Sequence, residues 1–264
     1  MNFGYPWWMT YGHLVLAAPA VLAAVWLIRK RRAKVVAGLL VLLAVWSTAA
    51  FFVTKFGFRL DAPVKPPAAS FLASGSGKVL DMGCGSGRAS IGLLLSKPRA
   101  TVVGLDNWSA GYIKGNGPDL IMANARAVGV HERLTVESAD MRALPFSESS
   151  FDAVISAYAV DHLDGPGIGR ALEEAKRVLR PGGELLLLNM SNDAWTKFAY
   201  TPLLGLHSSR ASHGSGAGPA HAAMSPEIRW QALLEHSGFE VIEIGHRPGT
   251  LYLLARKPGL RTAS

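Results

Sequence analysis

A glycine-rich turn is the first pattern in this sequence with a chemical meaning. Residues 79–88 read VLDMGCGSGR, so a β-type run passes into three alternating glycines and then into a helical pattern. Glycine has no Cβ atom, which lets a ligand lie against the backbone, and N–H groups exposed at a helix start favour an anionic group. The turn therefore predicts a binding site for a nucleotide-like ligand.

Two acidic residues narrow the choice of ligand. Asp81 stands two residues before Gly83, and Asp106 ends the next β-type run, 19 residues after Gly87. A carboxylate at Asp106 can accept both hydrogen bonds of a ribose diol, the alternative being a cap for a following helix. A dinucleotide motif has the spacing G-x-G-x-x-G, whereas the third glycine here comes one residue earlier. Asp81 suits a ligand with a cationic end, and an NAD-linked site stays open as the alternative.

Alternating strands and helices position these residues. The β-type runs are 78–82, 101–105, 134–137, 151–157, 184–190, 240–244 and 250–255. The helical patterns are 88–95, 119–128, 168–179 and a segment that Ser225 and Pro226 open and that ends before Gly238. Strands separated by helices form βαβ units, but the last two strands are joined by too few residues for a crossover. We predict an α/β, Rossmann-like doubly wound fold, with a mostly parallel seven-stranded sheet and an antiparallel strand near its end.

The ordered set of motifs resembles the class I S-adenosylmethionine-dependent methyltransferases, whose first motif is D/E-x-G-x-G-x-G. The likeness covers roughly residues 71–257 and includes an acid after the third strand, the fourth strand FDAVIS at 151–156, and RVLRPGGELLL at 177–187. It is similar to the small-molecule branch that includes ubiquinone/menaquinone-biosynthesis methyltransferases. The resemblance implies S-adenosylmethionine as the cofactor.

The resemblance also implies which residues contact that cofactor. They are Asp81, Gly83, Gly85, Gly87, Asp106, Asn107, Trp108, Asp140 and Met141. Asp81 and the glycines would neighbour the methionine part, Asp106 the ribose, and Asp140 with the Met141 amide the adenine. Asn107 stands where the family usually has an apolar residue, and Trp108 next to it is a candidate for stacking on adenine. Asp140 as a turn or cap residue is the alternative.

The segment after the fourth strand carries the candidate catalytic groups, because an open parallel sheet presents its ligand crevice there. His162 is predicted to accept a proton and Asp161 to orient it or accept one, if the acceptor has a proton to lose. The alternative is that both residues flank or cap the next helix. Tyr158 is a predicted substrate-binding residue.

An insert at 190–224 interrupts the domain and is predicted to be a lid or a binding loop. Trp195, Phe198 and Tyr200 in its first half are predicted to cover an apolar acceptor. Histidines at 207, 213 and 221 are spaced six and eight residues apart, unlike a helical metal-binding pair, so we predict no metal site.

Two apolar runs precede the domain. Residues 5–28 and 35–53 contain no Lys, Arg, Asp or Glu, and the second run would be about 28 Å long as a helix. We predict a membrane hairpin over residues 1–58, a proline-rich linker over 59–70, and the cofactor-binding domain over 71–264.

Charge is distributed unevenly along the chain. Residues 1–70 hold 8 of the 27 Lys and Arg and one of the 19 acidic residues, so +7 of the net +8 lies there. The nearly neutral remainder excludes a broad nucleic-acid interface. Five positive charges at 29–34 would place the hairpin loop in the cytoplasm. The cofactor is a cytoplasmic metabolite, however, so we expect the domain on the cytoplasmic face of a bacterial inner membrane.

These patterns together predict a membrane-anchored methyltransferase that acts on a small, lipophilic or lipid-like acceptor. An NAD-linked oxidoreductase and a non-catalytic membrane sensor or scaffold with a nucleotide fold are the alternatives. The acceptor, the methylated atom and the oligomeric state are left open by the sequence.

Overall fold

Two long helices form an N-terminal hairpin in the computed structural model, which describes residues 1–191, 193–204 and 225–259. Helix α1 spans Trp8–Arg29, and α2 spans Lys34–Phe52 and continues as a π-helix over Val53–Phe58. The Ser47 hydroxyl donates to the His13 carbonyl oxygen at 2.6 Å, and the Thr54 hydroxyl to that of Thr10 at 3.3 Å. Since the partners pair in reversed order, the two helices are antiparallel.

Small residues allow the two helices to pack closely, as in many membrane helix pairs. The buried apolar side chains of the hairpin are Ala17, Ala20, Ala24, Ala37, Ala44 and Ala50. Leucine, valine and tryptophan side chains point outward and are exposed. By length and composition, Trp8–Arg29 and Lys34–Phe58 are apolar enough to cross a membrane.

The predicted linker is fastened to the domain by one buried arginine. The Arg88 guanidinium donates to the carbonyl oxygens of Ala62 at 2.9 Å and Arg59 at 2.8 Å, and the Val64 N–H donates to the Arg88 carbonyl oxygen at 2.9 Å. A Cβ atom at Gly92 would lie 2.0 Å from the Val64 carbonyl oxygen, so this glycine lets the linker pass close to its helix. The hairpin is thus joined to the domain through defined contacts.

A seven-stranded sheet with strand order β3-β2-β1-β4-β5-β7-β6 forms the centre of the domain. The strands are β1 Ser76–Met82, β2 Arg99–Asp106, β3 Leu134–Ser138, β4 Phe151–Ala157, β5 Leu179–Met190, β6 Glu240–Arg247 and β7 Thr250–Arg256. The helices are α3 Arg88–Ser96, α4 Pro118–Ala127, α5 Gly165–Val178, α6 Ala194–Leu204 and α7 Pro226–His236. Strands β1 to β5 pair in parallel, and β7 is antiparallel to both of its neighbours. The predicted fold class is confirmed.

Hydrophobic cores cover both faces of the sheet. Val79 and Leu80 are adjacent in β1 and fully buried, yet they belong to different cores because successive strand residues point to opposite faces. Ile121 of α4 packs on the first face, and Leu172 of α5 and Trp230 of α7 pack on the second. Burial on both faces explains why the central strands are continuous apolar runs.

Two segments differ from the sequence-based expectation. The run 180–183, predicted to follow a helix that ends at Leu179, belongs to β5, and α5 ends one residue earlier. The first half of the predicted insert forms helix α6, which packs on the hairpin: the Trp46 indole N–H donates to the Phe198 carbonyl oxygen at 3.0 Å. The three histidines considered as metal ligands lie outside the described residues.

Trp230 anchors α7 to the sheet and provides a test of the second core. Its side chain is only 2% exposed, whereas Trp195 of α6 is 52% exposed. We expect Trp230→Ala to lower the free energy of unfolding by about 3–5 kcal/mol, because it removes a large buried ring and leaves a cavity. The control, Trp195→Ala, should change it by about 0.5 kcal/mol or less. Denaturant unfolding of the detergent-solubilised chain measures both, and equal losses would contradict this packing.

Candidate functional site

A cavity of about 340 Å³ opens at the carboxyl ends of β1, β2 and β4. The strand order reverses between β1 and β4, and ligand crevices of open α/β sheets form at such a switch point. Three loops of the domain line the cavity: the glycine turn, the loop after β2, and the loop after β4. The predicted cofactor and catalytic segments therefore meet in one place.

The glycine turn packs so closely that side chains are excluded. Gly83 has a φ of +78°, and a Cβ atom there would lie 2.3 Å from the Ala159 Cβ. Gly87 has a φ of +89°, and its Cβ atom would lie 2.6 Å from the Ile121 side chain. Gly85 has more room, since its nearest neighbour would be a methyl group 3.4 Å away. The turn thus presents bare backbone to the cavity.

Four N–H groups of this turn are already hydrogen bonded, so the expectation of exposed N–H groups does not hold for them. Those of Gly83 and Cys84 donate to the Leu105 carbonyl oxygen at 2.7 and 3.0 Å, and that of Gly87 donates to the Cys84 carbonyl oxygen at 2.8 Å. The Gly85 N–H donates to the Asp106 carboxylate at 2.8 Å. These four groups are not available to an anionic group.

Asp81 lies fully buried behind the turn. The Ser90 hydroxyl donates to its Oδ2 at 2.5 Å, and its Oδ1 has no hydrogen-bond partner among the described residues. Burial raises the pKa of Asp81 to about 7. An unpartnered buried carboxylate oxygen is costly, and a cationic donor would stabilise it. Asp81 is not among the residues that line the cavity, so its contact with the amino end of the cofactor remains a prediction.

Asp106 lines the cavity at the end of β2. Its Oδ2 accepts from the Gly85 N–H at 2.8 Å and its Oδ1 from the Trp108 N–H at 2.6 Å. A carboxylate accepts about four hydrogen bonds, so capacity for a ribose diol remains. The alternative that Asp106 caps the next helix is wrong, because α4 begins at Pro118. Asn107 lines the same wall, and its side-chain oxygen accepts hydrogen bonds from the Ser109 N–H and hydroxyl.

The predicted adenine contacts lie at the ends of β2 and β3. Trp108 has a φ of +59°, and its indole N–H donates to the Ser138 hydroxyl at 2.8 Å. Met141 lines the cavity. Asp140 instead forms an ion pair with Arg142 at 2.5 Å, and this guanidinium holds the pKa of Asp140 below its usual value. Contact of these residues with adenine remains a prediction.

The loop after β4 brings two of the three residues predicted there to the cavity. Tyr158 and His162 line it, and the Tyr158 hydroxyl forms a 2.6 Å hydrogen bond with the Thr250 hydroxyl. Burial raises the pKa of Tyr158, which keeps this phenol neutral. Asp161 is not among the lining residues, and its carboxylate accepts from the Met190 N–H at 3.3 Å. Helix α5 is capped by Asp164, so neither Asp161 nor His162 is its N-cap.

The predicted acceptor-covering aromatics lie elsewhere, on α6. Among the described residues, the cavity lining includes none of Trp195, Phe198 and Tyr200. The Tyr200 ring lies 5.7 Å from the Phe58 ring and 6.3 Å from the His13 ring, so it packs on the hairpin. Burial raises the pKa of Tyr200 to about 12. A substrate role for these three residues remains a prediction.

Three lining residues have no motif that could have identified them. Tyr5 precedes α1, Val64 follows the hairpin, and Tyr112 belongs to the loop between β2 and α4. The Tyr5 and Tyr112 rings are 6.3 Å apart, and the Arg88 guanidinium lies 5.5 Å from the Tyr5 ring. The sequence pattern assigns Tyr5 to an apolar membrane run. In the sequence, only the proline that follows Tyr5 indicates that this residue could lie outside the first helix, which begins at Trp8.

Comparisons with known proteins find methyltransferases among the proteins similar to this chain. A family described as methyltransferase domain matches residues 79–183. The ubiquinone/menaquinone biosynthesis C-methyltransferase of Syntrophotalea carbinolica is 33% identical over 135 residues, 51% of this chain and 53% of that protein. The demethylmenaquinone methyltransferase of Clavibacter sepedonicus is 28% identical over 196 residues, 70% of this chain and 74% of that protein. The chain thus spans about half the length of the first of these relatives.

Solved structures share the fold at low sequence identity. The 4+2 cyclase SpnF is similar with a TM-score of 0.53 and 17% identity, covering 72% of this chain and 77% of that one. An S-adenosylmethionine-dependent methyltransferase from Methanosarcina mazei has a TM-score of 0.50 and 21% identity, covering 70% and 93%. At these identities the likeness establishes the fold.

The raised pKa of Asp81 predicts proton-linked cofactor binding. Below about pH 7 its carboxyl is mostly protonated in the ligand-free protein, while a cationic amino group nearby favours the ionised form. We therefore expect the affinity for S-adenosylmethionine to rise with pH, approaching about tenfold per pH unit, and to level off above about pH 7. Calorimetry in buffers of different ionisation enthalpy measures the released proton.

Two variants check the assignment. Asp81→Asn should bind more weakly and lose this component of the pH dependence, whereas Asp119→Asn, at an exposed position on α4, should keep it. Without ligand, the folded pKa of Asp81 lies above its unfolded value of 3.8, so the folded state retains the proton between these values. The free energy of unfolding should therefore fall as pH rises from about 4 to about 7, and less so in Asp81→Asn. Identical curves for all three proteins would contradict the assignment.

Proposed function

Because this chain carries a class I S-adenosylmethionine-dependent methyltransferase domain, we propose that the protein methylates a small, quinone-type lipophilic acceptor at a membrane surface. The observation that carries the proposal is the composition of the cavity wall. Besides the glycine turn and Asp106, it includes Tyr5 and Val64, which flank the two ends of the apolar hairpin. An acceptor dissolved in a bilayer would meet the site at this wall.

The names of the relatives support the class of acceptor. The two related enzymes described above are named for ubiquinone, menaquinone and demethylmenaquinone. Quinones combine a flat ring with an apolar tail, and such a molecule partitions into the membrane because burial of each methylene contributes about 0.8 kcal/mol. A membrane-inserted hairpin next to the cavity brings enzyme and acceptor into the same layer.

Different residues of the site would have different roles in methyl transfer. When bound, S-adenosylmethionine supplies a methyl group on a cationic sulfur that is ready for displacement. Asp81 would hold the amino end of this cofactor and Asp106 its ribose hydroxyls. An acceptor and a methyl donor that are bound side by side in the reactive orientation react faster than the same two molecules that meet at random in solution. His162 would take a proton from the acceptor where the attacking atom carries one.

The hairpin supports a membrane anchor with both ends on the domain side. Gly4, ahead of α1, accepts a hydrogen bond from the Lys114 N–H at 2.8 Å, and Val64, after α2, is bound to Arg88. The basic loop at 29–34 is therefore at the far end of the hairpin. We propose that the domain faces the cytoplasm, where the cofactor is made, and that this loop lies across the membrane in spite of its charge.

A labelling experiment tests the function. Membranes that contain the full chain, with S-adenosylmethionine labelled in its methyl group, should transfer label to a lipid-extractable quinone fraction. Asp106→Ala should lower the transfer about 100-fold at limiting cofactor, because two hydrogen bonds to a charged group are worth about 3 kcal/mol. Label confined to protein or to water-soluble products would contradict the proposal. Asp119→Asn serves as the matched carboxylate control.

His162 is tested separately as the proton acceptor. For an acceptor that loses a proton, His162→Ala should lower kcat about 100-fold or more, because general base catalysis is typically worth that much. The affinity for S-adenosylmethionine should stay within about twofold, which a binding titration measures. An unchanged kcat would show that His162 only forms part of the wall.

A further inference from the structure

The segment ahead of the first apolar helix is fixed on the domain. The Asn2 N–H donates to the Asn124 side-chain oxygen at 2.8 Å, and the Asn124 amide donates back to the Asn2 carbonyl oxygen at 2.9 Å. Phe3 is only 3% exposed and belongs to the core that α3 and α4 form with the sheet. Gly4 has a φ of +75°, and a Cβ atom there would lie 2.7 Å from the Lys114 carbonyl oxygen. Residues 2–4 therefore hold a defined path over the domain.

This path delivers Tyr5 to the cavity wall as one member of a row of four side chains. The Arg88 guanidinium lies 5.5 Å from the Tyr5 ring, which lies 6.3 Å from the Tyr112 ring, which lies 6.2 Å from the His162 ring. All four side chains belong to residues that line the cavity. The row runs from the linker anchor at Arg88 to the proposed proton acceptor.

The two tyrosine rings of this row face each other. The Tyr5 and Tyr112 planes differ by only 29°. Carbon atoms stack best at about 3.5 Å, so a ring held between two others needs about 7 Å between the outer planes. The 6.3 Å separates the two ring centroids, and the rings now pack against each other, so the Tyr112 side chain must move outward to admit a guest. Tyr112 is 43% exposed although it lines the cavity, so a guest would bury apolar area there.

We propose that Tyr5 and Tyr112 form an aromatic clamp for the flat ring of the acceptor, which makes the segment ahead of the hairpin part of the substrate site. This inference rests on the proposed function, since it specifies where that acceptor binds. The ring would lie between the two tyrosines, in the cavity that His162 also lines. The tail of the acceptor would leave past Val64 toward the hairpin.

The clamp has a consequence for assembly. Tyr5 is separated by only two residues from the start of α1 at Trp8. Its ring reaches the cavity because Asn2 and Gly4 are hydrogen bonded to the domain and Phe3 is buried on it, while the hairpin returns the chain to Val64. The acceptor site is therefore complete only when the hairpin is folded against the domain. A domain that lost this contact would keep the glycine turn and the cofactor contacts but lack one half of the clamp.

Paired variants of the full chain test the clamp. Tyr5→Leu keeps an apolar side chain without a ring, and Tyr5→Phe keeps the ring without its hydroxyl. With 1,4-naphthoquinone as the binding probe, we expect Tyr5→Leu to weaken binding about tenfold and Tyr5→Phe to stay within about threefold of the parent protein. The affinity for S-adenosylmethionine, measured in the same samples, should be unchanged in both variants.

A double-mutant cycle distinguishes a shared site from two separate packing roles. Tyr112→Leu should weaken the naphthoquinone as much as Tyr5→Leu does, and the double variant should be little worse than either one, because losing one ring already opens the clamp. Additive losses, or a Tyr5→Leu protein that binds the probe like the parent, would overturn the inference. A Tyr5→Leu protein that loses S-adenosylmethionine binding to the same extent would also overturn it, since Tyr5 would then only support the fold.

The outcomes separate this inference from the proposed function. Methyl transfer to a quinone by the parent protein, with an unchanged KM for the quinone in Tyr5→Leu, rejects the clamp and supports the function. Ring-dependent binding of the naphthoquinone without any methyl transfer supports the clamp and rejects the function. Loss of Tyr5→Leu from the membrane fraction, with naphthoquinone affinity retained, identifies Tyr5 as an interfacial anchor and rejects the clamp.

Discussion

The contact between the glycine turn and the loop after β4 is the constraint on which the rest of the site depends. Gly83 approaches Ala159 so closely that even a methyl group would overlap it. The same turn is bound through two N–H groups to the end of β2. Three strand ends are thereby held around one cavity, with Asp81 behind the turn and Asp106 and His162 on its walls. Any larger residue at position 83 would push the loop after β4 away from the glycine turn and so move His162 away from Asp106.

The hairpin is tied into this arrangement rather than attached by a loose linker. Arg88, in the first turn of the helix that follows the glycines, holds the linker through backbone carbonyl oxygens and lies against the Tyr5 ring. A buried guanidinium is costly unless its donors are satisfied, and here the linker supplies the acceptors. The residue that opens α3 therefore also fixes both flanks of the hairpin. Movement of the hairpin relative to the domain would therefore displace residues that line the cavity, such as Tyr5 and Val64.

The parts of the molecule that could be predicted are those governed by local chemistry. Strand period and turn glycines predict the fold and the cofactor turn because each depends on neighbours within a few residues, and the spacing of Asp81 and Asp106 spans a single strand–helix–strand unit. The pairing of Asn2 with Asn124, 122 residues apart, and of Trp46 with Phe198, 152 apart, leaves no such local trace. For this reason the sequence pattern assigns Tyr5 to the membrane run and the α6 segment to a lid or a binding loop. The hydrogen bonding of the turn N–H groups also depends on the position of β2, which the motif alone does not specify.

Fold and reaction are separable in this architecture, since a cyclase and a methyltransferase both share it with this chain. What selects a reaction is then the cavity wall. The segment that matches the methyltransferase family, residues 79–183, contains the glycine turn, Asp106, Tyr112 and His162, but neither Tyr5 nor Val64. The family match therefore covers the cofactor turn, the proposed proton acceptor and one ring of the proposed clamp. In the proposed clamp the second ring, Tyr5, flanks the hairpin, so the choice of acceptor and the attachment to the membrane depend in part on the same short segment.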